Sequence, residues 1–162
     1  MDAAALAAAG ATLVAISSLF NGIGRFFWGG VSDKIGRIQA FRIILGTQIL
    51  AFIAMLLIAN PWVFGILVCY VLFCYGGGFG TMPSFVGDVF TTKLMPVVYG
   101  IVLTAWSIGG IVGLQLSAYI KDVYKADAPI YIYIIDIIVL TMGIIISLTI
   151  PRCCSRKGEN SL

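Results

Sequence analysis

Asn21 to Arg37 reads NGIGRFFWGGVSDKIGR. Arg25 stands inside an otherwise apolar run, and paired glycines and the polar cluster Ser32, Asp33 and Lys34 follow closely. A guanidinium at the centre of a bilayer costs about 2.5 to 3.5 kcal/mol on insertion scales. An arginine held among Ile, Phe and Trp therefore needs a compensating role. Asn21 lies four residues earlier on the same helical face, and Ser18 and Ser32 stand seven residues to either side of Arg25. Together they draw a polar stripe down one face of a first helix.

The surroundings place that helix in a membrane. The 162 residues are 60% hydrophobic and only 10% charged, with a mean hydropathy of +1.06, whereas soluble domains carry about 25% charged residues. The composition is that of an all-α, polytopic membrane bundle. Apolar stretches of about 20 residues or more, the length that crosses hydrocarbon, run roughly from Ala3 to Trp28, Ile38 to Ala59, Pro61 to Val86, Pro96 to Ile120 and Pro129 to Ile150. This pattern predicts five transmembrane helices within residues 1–151 and a short tail over 152–162. The breaks carry stop and start signals: SDKIGR with its glycine, Asn60-Pro61, GDVFTTKLMP ending at Pro96, and KDVYKADAP ending at Pro129. No positive charge precedes Arg25, so the first segment reads as a retained helix and not as a signal peptide.

Charge fixes the expected orientation. Lys34, Arg37, Arg42, Lys93, Arg152, Arg156 and Lys157 fall on one side, while Lys121 and Lys125, interleaved with Asp122 and Asp127, fall on the other. The positive-inside rule then predicts an external amino terminus and a cytoplasmic carboxy terminus. The same distribution argues against nucleic-acid binding, because the basic residues mark loops and form no patch. With no histidine, and four cysteines in no paired ligand spacing, no metal site and no cofactor are expected. Cys153 and Cys154, just past the last helix, are either S-palmitoylation sites or two free thiols.

GGVSDKIGR has the form G-x-x-x-D-K/R-x-G-R, with Gly29, Asp33, Lys34, Gly36 and Arg37 in register. It resembles the cytoplasmic loop signature of the major facilitator superfamily. Gly29 would let a neighbouring helix approach, Asp33 would face the positive end of another helix, Gly36 would make the turn, and Arg37 would pair with an acid across the bundle. FNGIGRFFWGGVSDKIGR, CYGGGFGTMPSFVGDVFTTK and YGIVLTAWSIGGIVG, in that order, are similar to helices eight, ten and eleven of the oxalate/formate antiporter family, kin of the monocarboxylate transporters. The resemblance implies that the five helices correspond to helices eight to twelve of a twelve-helix transporter. It also implies a partner, the missing amino-terminal half, and a small organic anion as substrate, carried as an antiporter or proton symporter.

On this resemblance Arg25 faces the central cavity and holds a substrate carboxylate with its planar fork; otherwise it snorkels to the interface about two turns away. Asn21, Tyr75, Phe79 and Trp106 complete the implied substrate site, and Arg37 with Asp88 forms a latch on the cytoplasmic side that holds the outward-open state. Gly76 and Gly80 make a GxxxG pattern, Pro83 kinks or ends its helix, and Ala105, Gly109 and Gly113 form a small-residue ladder that permits close packing. Oxalate exchangers of the family carry lysine where this chain has Trp106, which implies a monocarboxylate. Asp136 is an intramembrane acid, read as interfacial or as proton-coupling. Two further classes stand beside transport: a truncated, non-transporting membrane protein that associates with a partner, and a membrane enzyme. The second lacks a nucleophile with a base, or carboxylates paired at one depth.

Overall fold

The computed structural model describes residues 3–58, 60–90 and 93–149; the tail over 152–162, with Cys153 and Cys154, lies outside them. Five α-helices follow one another: α1 (Ala3–Ile35), α2 (Arg37–Leu57), α3 (Pro61–Val89), α4 (Met95–Tyr124) and α5 (Ala128–Thr149), with a 3-10 turn at Lys125–Asp127. Four stretches are long and apolar enough to cross a membrane, namely Ala7–Ile35, Arg37–Leu57, Pro61–Val89 and Met95–Thr149. The last, of 55 residues, would reach about 80 Å as one straight helix, against roughly 30 Å of hydrocarbon. It instead folds back: Lys125 takes a positive φ of 43°, α4 and α5 pack together, and the Tyr124 and Tyr131 rings close the corner with centroids 4.1 Å apart.

The first break is a single residue. Gly36 has φ 91° and ψ 145°, a conformation open to glycine and strained for other residues. Hydrogen bonds run straight up to it and on from it, from Gly36 N–H to the Ser32 carbonyl and from Ala40 N–H to the Gly36 carbonyl, each at 3.0 Å. The helix expected to end at Trp28 therefore continues to Ile35. Gly29 and Gly30 do not stop it, because glycine is tolerated in membrane helices. The loop signature is thus largely the last two turns of α1. At the start of α3, Asn60 caps by accepting the Trp62 N–H at 2.9 Å, with Pro61 in the first turn, where its missing N–H costs nothing. Pro83 does not end α3, which stays helical to Val89. It removes the backbone bond to the Phe79 carbonyl.

The heart of the bundle is the contact of α1 with α3; α2 packs on α3 and α5, and α4 lies at the edge against α5 and α3. Small residues set the α1–α3 distance. A methyl group added at Gly24 would overlap the Phe73 carbonyl, at Gly76 the Asn21 backbone, and at Gly77 the Trp28 indole; at Gly80 it would come within 2.8 Å of the Arg25 carbonyl oxygen. By contrast, the α4 ladder does not pack against other helices among the described residues. Ala105 is exposed, and Gly109 and Gly113 have nothing within 4 Å of an added methyl, because no described helix crosses that face.

One end of the bundle is tied by arginines. Arg42 donates from Nε to Ser147 Oγ at 3.0 Å and from Nη2 to the Ser147 carbonyl at 2.6 Å. It thereby satisfies a carbonyl in the last turn of α5 that the helix cannot pair internally. The starts of α1's successor and the ends of α3 and α5 accordingly meet at one level.

Candidate functional site

The GxxxG of α3 places the polar face of α1. Because Gly76 seats the Asn21 backbone and Gly80 the Arg25 backbone, these two α1 residues, one turn apart, are held against the α3 face that carries Tyr75 and Phe79. Arg25 is exposed, and its Cζ lies 5.7 Å from the Phe79 ring centroid, within cation–π reach. Phe79 in turn meets Tyr75, centroids 5.7 Å apart, and Trp106 in a T-shaped pair with centroids 5.0 Å apart and planes at 79°. The Trp106 indole Nε1–H donates to the Tyr75 hydroxyl oxygen at 2.9 Å.

Four of the five residues read as a substrate site, Arg25, Tyr75, Phe79 and Trp106, thus stand in one chain of contacts across α1, α3 and α4. Asn21 sits beside them at the α1–α3 seam. A cavity of about 210 Å³ opens behind the aromatic wall and is lined by Tyr75, Phe79 and Trp106 together with residues such as Phe41, Gln48 and Met82. Arg25 and Asn21 are not part of that lining; they lie on the α1 side of Phe79. The arrangement offers a fixed cation next to aromatic faces and one phenol, a set that can hold a small anion by charge and exclude water around its apolar part. The groups form no nucleophile with a base.

At the end of the bundle, Arg37 gathers three partners. Its Nη2 pairs with Asp33 Oδ1 at 2.5 Å, its Nε donates to Asp88 Oδ2 at 3.2 Å, and its Nη1 donates to Ser32 Oγ at 2.6 Å. Arg37 is largely covered, with 19% of its side chain exposed, while Asp33 and Asp88 keep 63% and 57%. Asp33 meets this guanidinium at the start of α2 and not a distant helix end. Gly29 faces open space, so among the described residues no neighbour uses the room it leaves. Lys34 is exposed, and Asp136 is half-buried in α5.

Sequence reasoning missed two partners. Arg42 reads in the sequence only as a topogenic charge, yet it holds the end of α5; the sequence carries no signal that pairs it with Ser147. Ser32 belongs by spacing to the α1 stripe, and its hydroxyl is the covered partner of Arg37.

A bundle with four stretches long and apolar enough to cross a membrane is of the polytopic membrane class. Residues 2–114 match the Major Facilitator Superfamily, and the chain belongs to that superfamily. It is 35% identical over 109 residues to an oxalate:formate antiporter of Oxalobacter formigenes, covering 66% of this chain and 26% of that protein. It is 30% identical over 123 residues to the sialic acid transporter NanX of Escherichia coli (strain K12), covering 75% of this chain and 30% of that protein. The chain thus spans between a quarter and a third of the length of these curated relatives. No solved structure matches it.

Proposed function

We propose that this chain forms the carboxy-terminal part of a secondary transporter for a small organic anion, with α1 to α5 each crossing the membrane as counterparts of helices eight to twelve. The observation that carries the reading is the Arg25 guanidinium placed over Phe79 in contact continuity with Tyr75 and Trp106, in a chain of this superfamily. The substrates named for both relatives, oxalate, formate and sialic acid, are all carboxylates, which supports an anion here. Arg25 binds the carboxylate and Asn21 flanks it. With Trp106 uncharged, a dicarboxylate would leave one charge uncompensated in a poorly solvated site, so a monocarboxylate is favoured. The end that carries Lys34, Arg37, Arg42 and Lys93 is the cytoplasmic one, and the amino terminus is external.

Alternating access requires two bundles rocking about a midplane site. Liposomes holding this chain alone are therefore expected to take up labelled formate or acetate no faster than empty vesicles. Liposomes in which the remaining helices of such a transporter are also present should do so readily. Uptake by the chain alone would overturn the need for a second bundle, and inactivity of the combination would favour a non-transporting role.

Arg37 and Asp88 act as a latch of one conformational state. In Asp88→Asn, Arg37 stays anchored by Ser32 and Asp33, and only the link from α2 to α3 weakens. Exposed pairs contribute about 0 to 1 kcal/mol, so the balance of inward and outward states should shift by up to about fivefold, read by labelling of single cysteines placed at either mouth, with substrate affinity unchanged. An unaltered labelling ratio would remove the latch role.

A further inference from the structure

The Trp106 to Tyr75 hydrogen bond has a directional consequence for the anion site. An indole N–H can only donate, so in this pair the Tyr75 oxygen is the acceptor. The lobe that receives the indole proton cannot also hold the phenol's own proton, which must turn away from Trp106. Among the described residues no group accepts that proton, although Tyr75 is 40% exposed and lies at the cavity wall. The indole is itself held in orientation by its edge contact with Phe79, the ring over which Arg25 sits. Its single donor is already used.

We infer that Trp106 is a positioning residue that aims the Tyr75 hydroxyl at the bound anion as a neutral hydrogen-bond donor, complementing the charge of Arg25. Trp106 makes no hydrogen bond to the anion itself. The inference rests on the reading of Arg25 and its neighbours as the anion site. It adds a division of labour: Arg25 supplies charge, Tyr75 supplies one directed donor, and Trp106 acts only through Tyr75. The second donor at this site is a phenol, so it brings no second positive charge with it.

The test is a double-mutant cycle in the complete transporter with this chain as its carboxy-terminal part, using radiolabelled formate and acetate as probes. Tyr75→Phe keeps the ring and removes the hydroxyl, and Trp106→Phe keeps a smaller aromatic ring and removes the N–H. Each is expected to raise the half-saturation concentration about three- to tenfold, the size of one ordinary net hydrogen bond, with the maximal rate within about twofold. Because Trp106 acts through Tyr75, the double variant should be no worse than Tyr75→Phe alone. Effects that multiply in the double variant would show that Trp106 has its own contact and would overturn the inference. So would a Trp106→Phe variant with unchanged half-saturation. Arg25→Gln, measured alongside, separates the levels: if it weakens binding while Tyr75→Phe does not, the anion site stands and the positioning role falls. If it has no effect, the underlying site reading falls as well.

Discussion

Gly76→Ala is expected to destabilise the bundle by about 3 kcal/mol, the upper end of the range for overpacking, although the same change in an open helix position favours the helix by about 0.5 to 1 kcal/mol. The reason is what the methyl would meet. At Gly76 it overlaps the backbone of Asn21, and a backbone cannot swing aside as a flexible side chain can, so α1 must move bodily away from α3. Gly24 and Gly80 make the same kind of contact a turn or two along the interface, and the displacement would loosen these as well. Gly100→Ala is the matched control, because nothing lies within 4 Å of a methyl there. It should be neutral or slightly stabilising. Unfolding midpoints of the purified variants in mixed detergent micelles would check the pair, and equal midpoints would mean that α1 and α3 are not held by glycine contact. The same displacement would carry Arg25 off Phe79, so a folded residue of Gly76→Ala protein should also have lost anion binding.

That interface was partly legible in the sequence. Gly76 and Gly80 stand at the spacing that lets helices meet, and the structure uses both. Ala105, Gly109 and Gly113 have equal spacing, yet Ala105 is exposed and a methyl at either glycine would meet no described residue within 4 Å, because spacing states what a face permits and not which helix arrives. The helices themselves were readable from hydropathy and from Gly36, Asn60 and the prolines. Their ends were less so: α1 runs past Trp28 through the whole glycine pair, since a glycine inside a membrane helix and a glycine that turns the chain look alike until φ is known, and only Gly36 among them takes a positive value. Of the two outcomes expected at Pro83, a kink or an end, the structure excludes the end, since α3 runs on to Val89. At the site, the one-turn spacing of Asn21 with Arg25 and of Tyr75 with Phe79 was visible. The family resemblance placed Trp106 and Tyr75 at one site but not in a hydrogen bond, and the meeting of Arg42 with Ser147 joins positions far apart in sequence, for which neither periodicity nor motif carries a signal.

The largest functional effect is expected at Arg25. Its guanidinium is exposed beside an aromatic wall and, in the proposed reading, exchanges water for a carboxylate held by two parallel hydrogen bonds. Hydrogen bonds to charged groups contribute about 1.5 to 3 kcal/mol each. Arg25→Lys keeps the charge and loses the fork, and affinity should fall about tenfold. Arg25→Gln loses both, and affinity should fall about a hundredfold or more. Neither change touches Gly80 or the α1 backbone, so expression and thermal stability should be preserved.

The most direct measurement is therefore anion exchange in proteoliposomes by the complete transporter with this chain as its carboxy-terminal part, comparing the parent with Arg25→Lys and Arg25→Gln at matched amounts of folded protein. The half-saturation concentration for the monocarboxylate is expected to rise in the order parent, lysine, glutamine. If both variants exchange the anion with the parent's half-saturation concentration, Arg25 is an interfacial anchor and the anion site lies elsewhere.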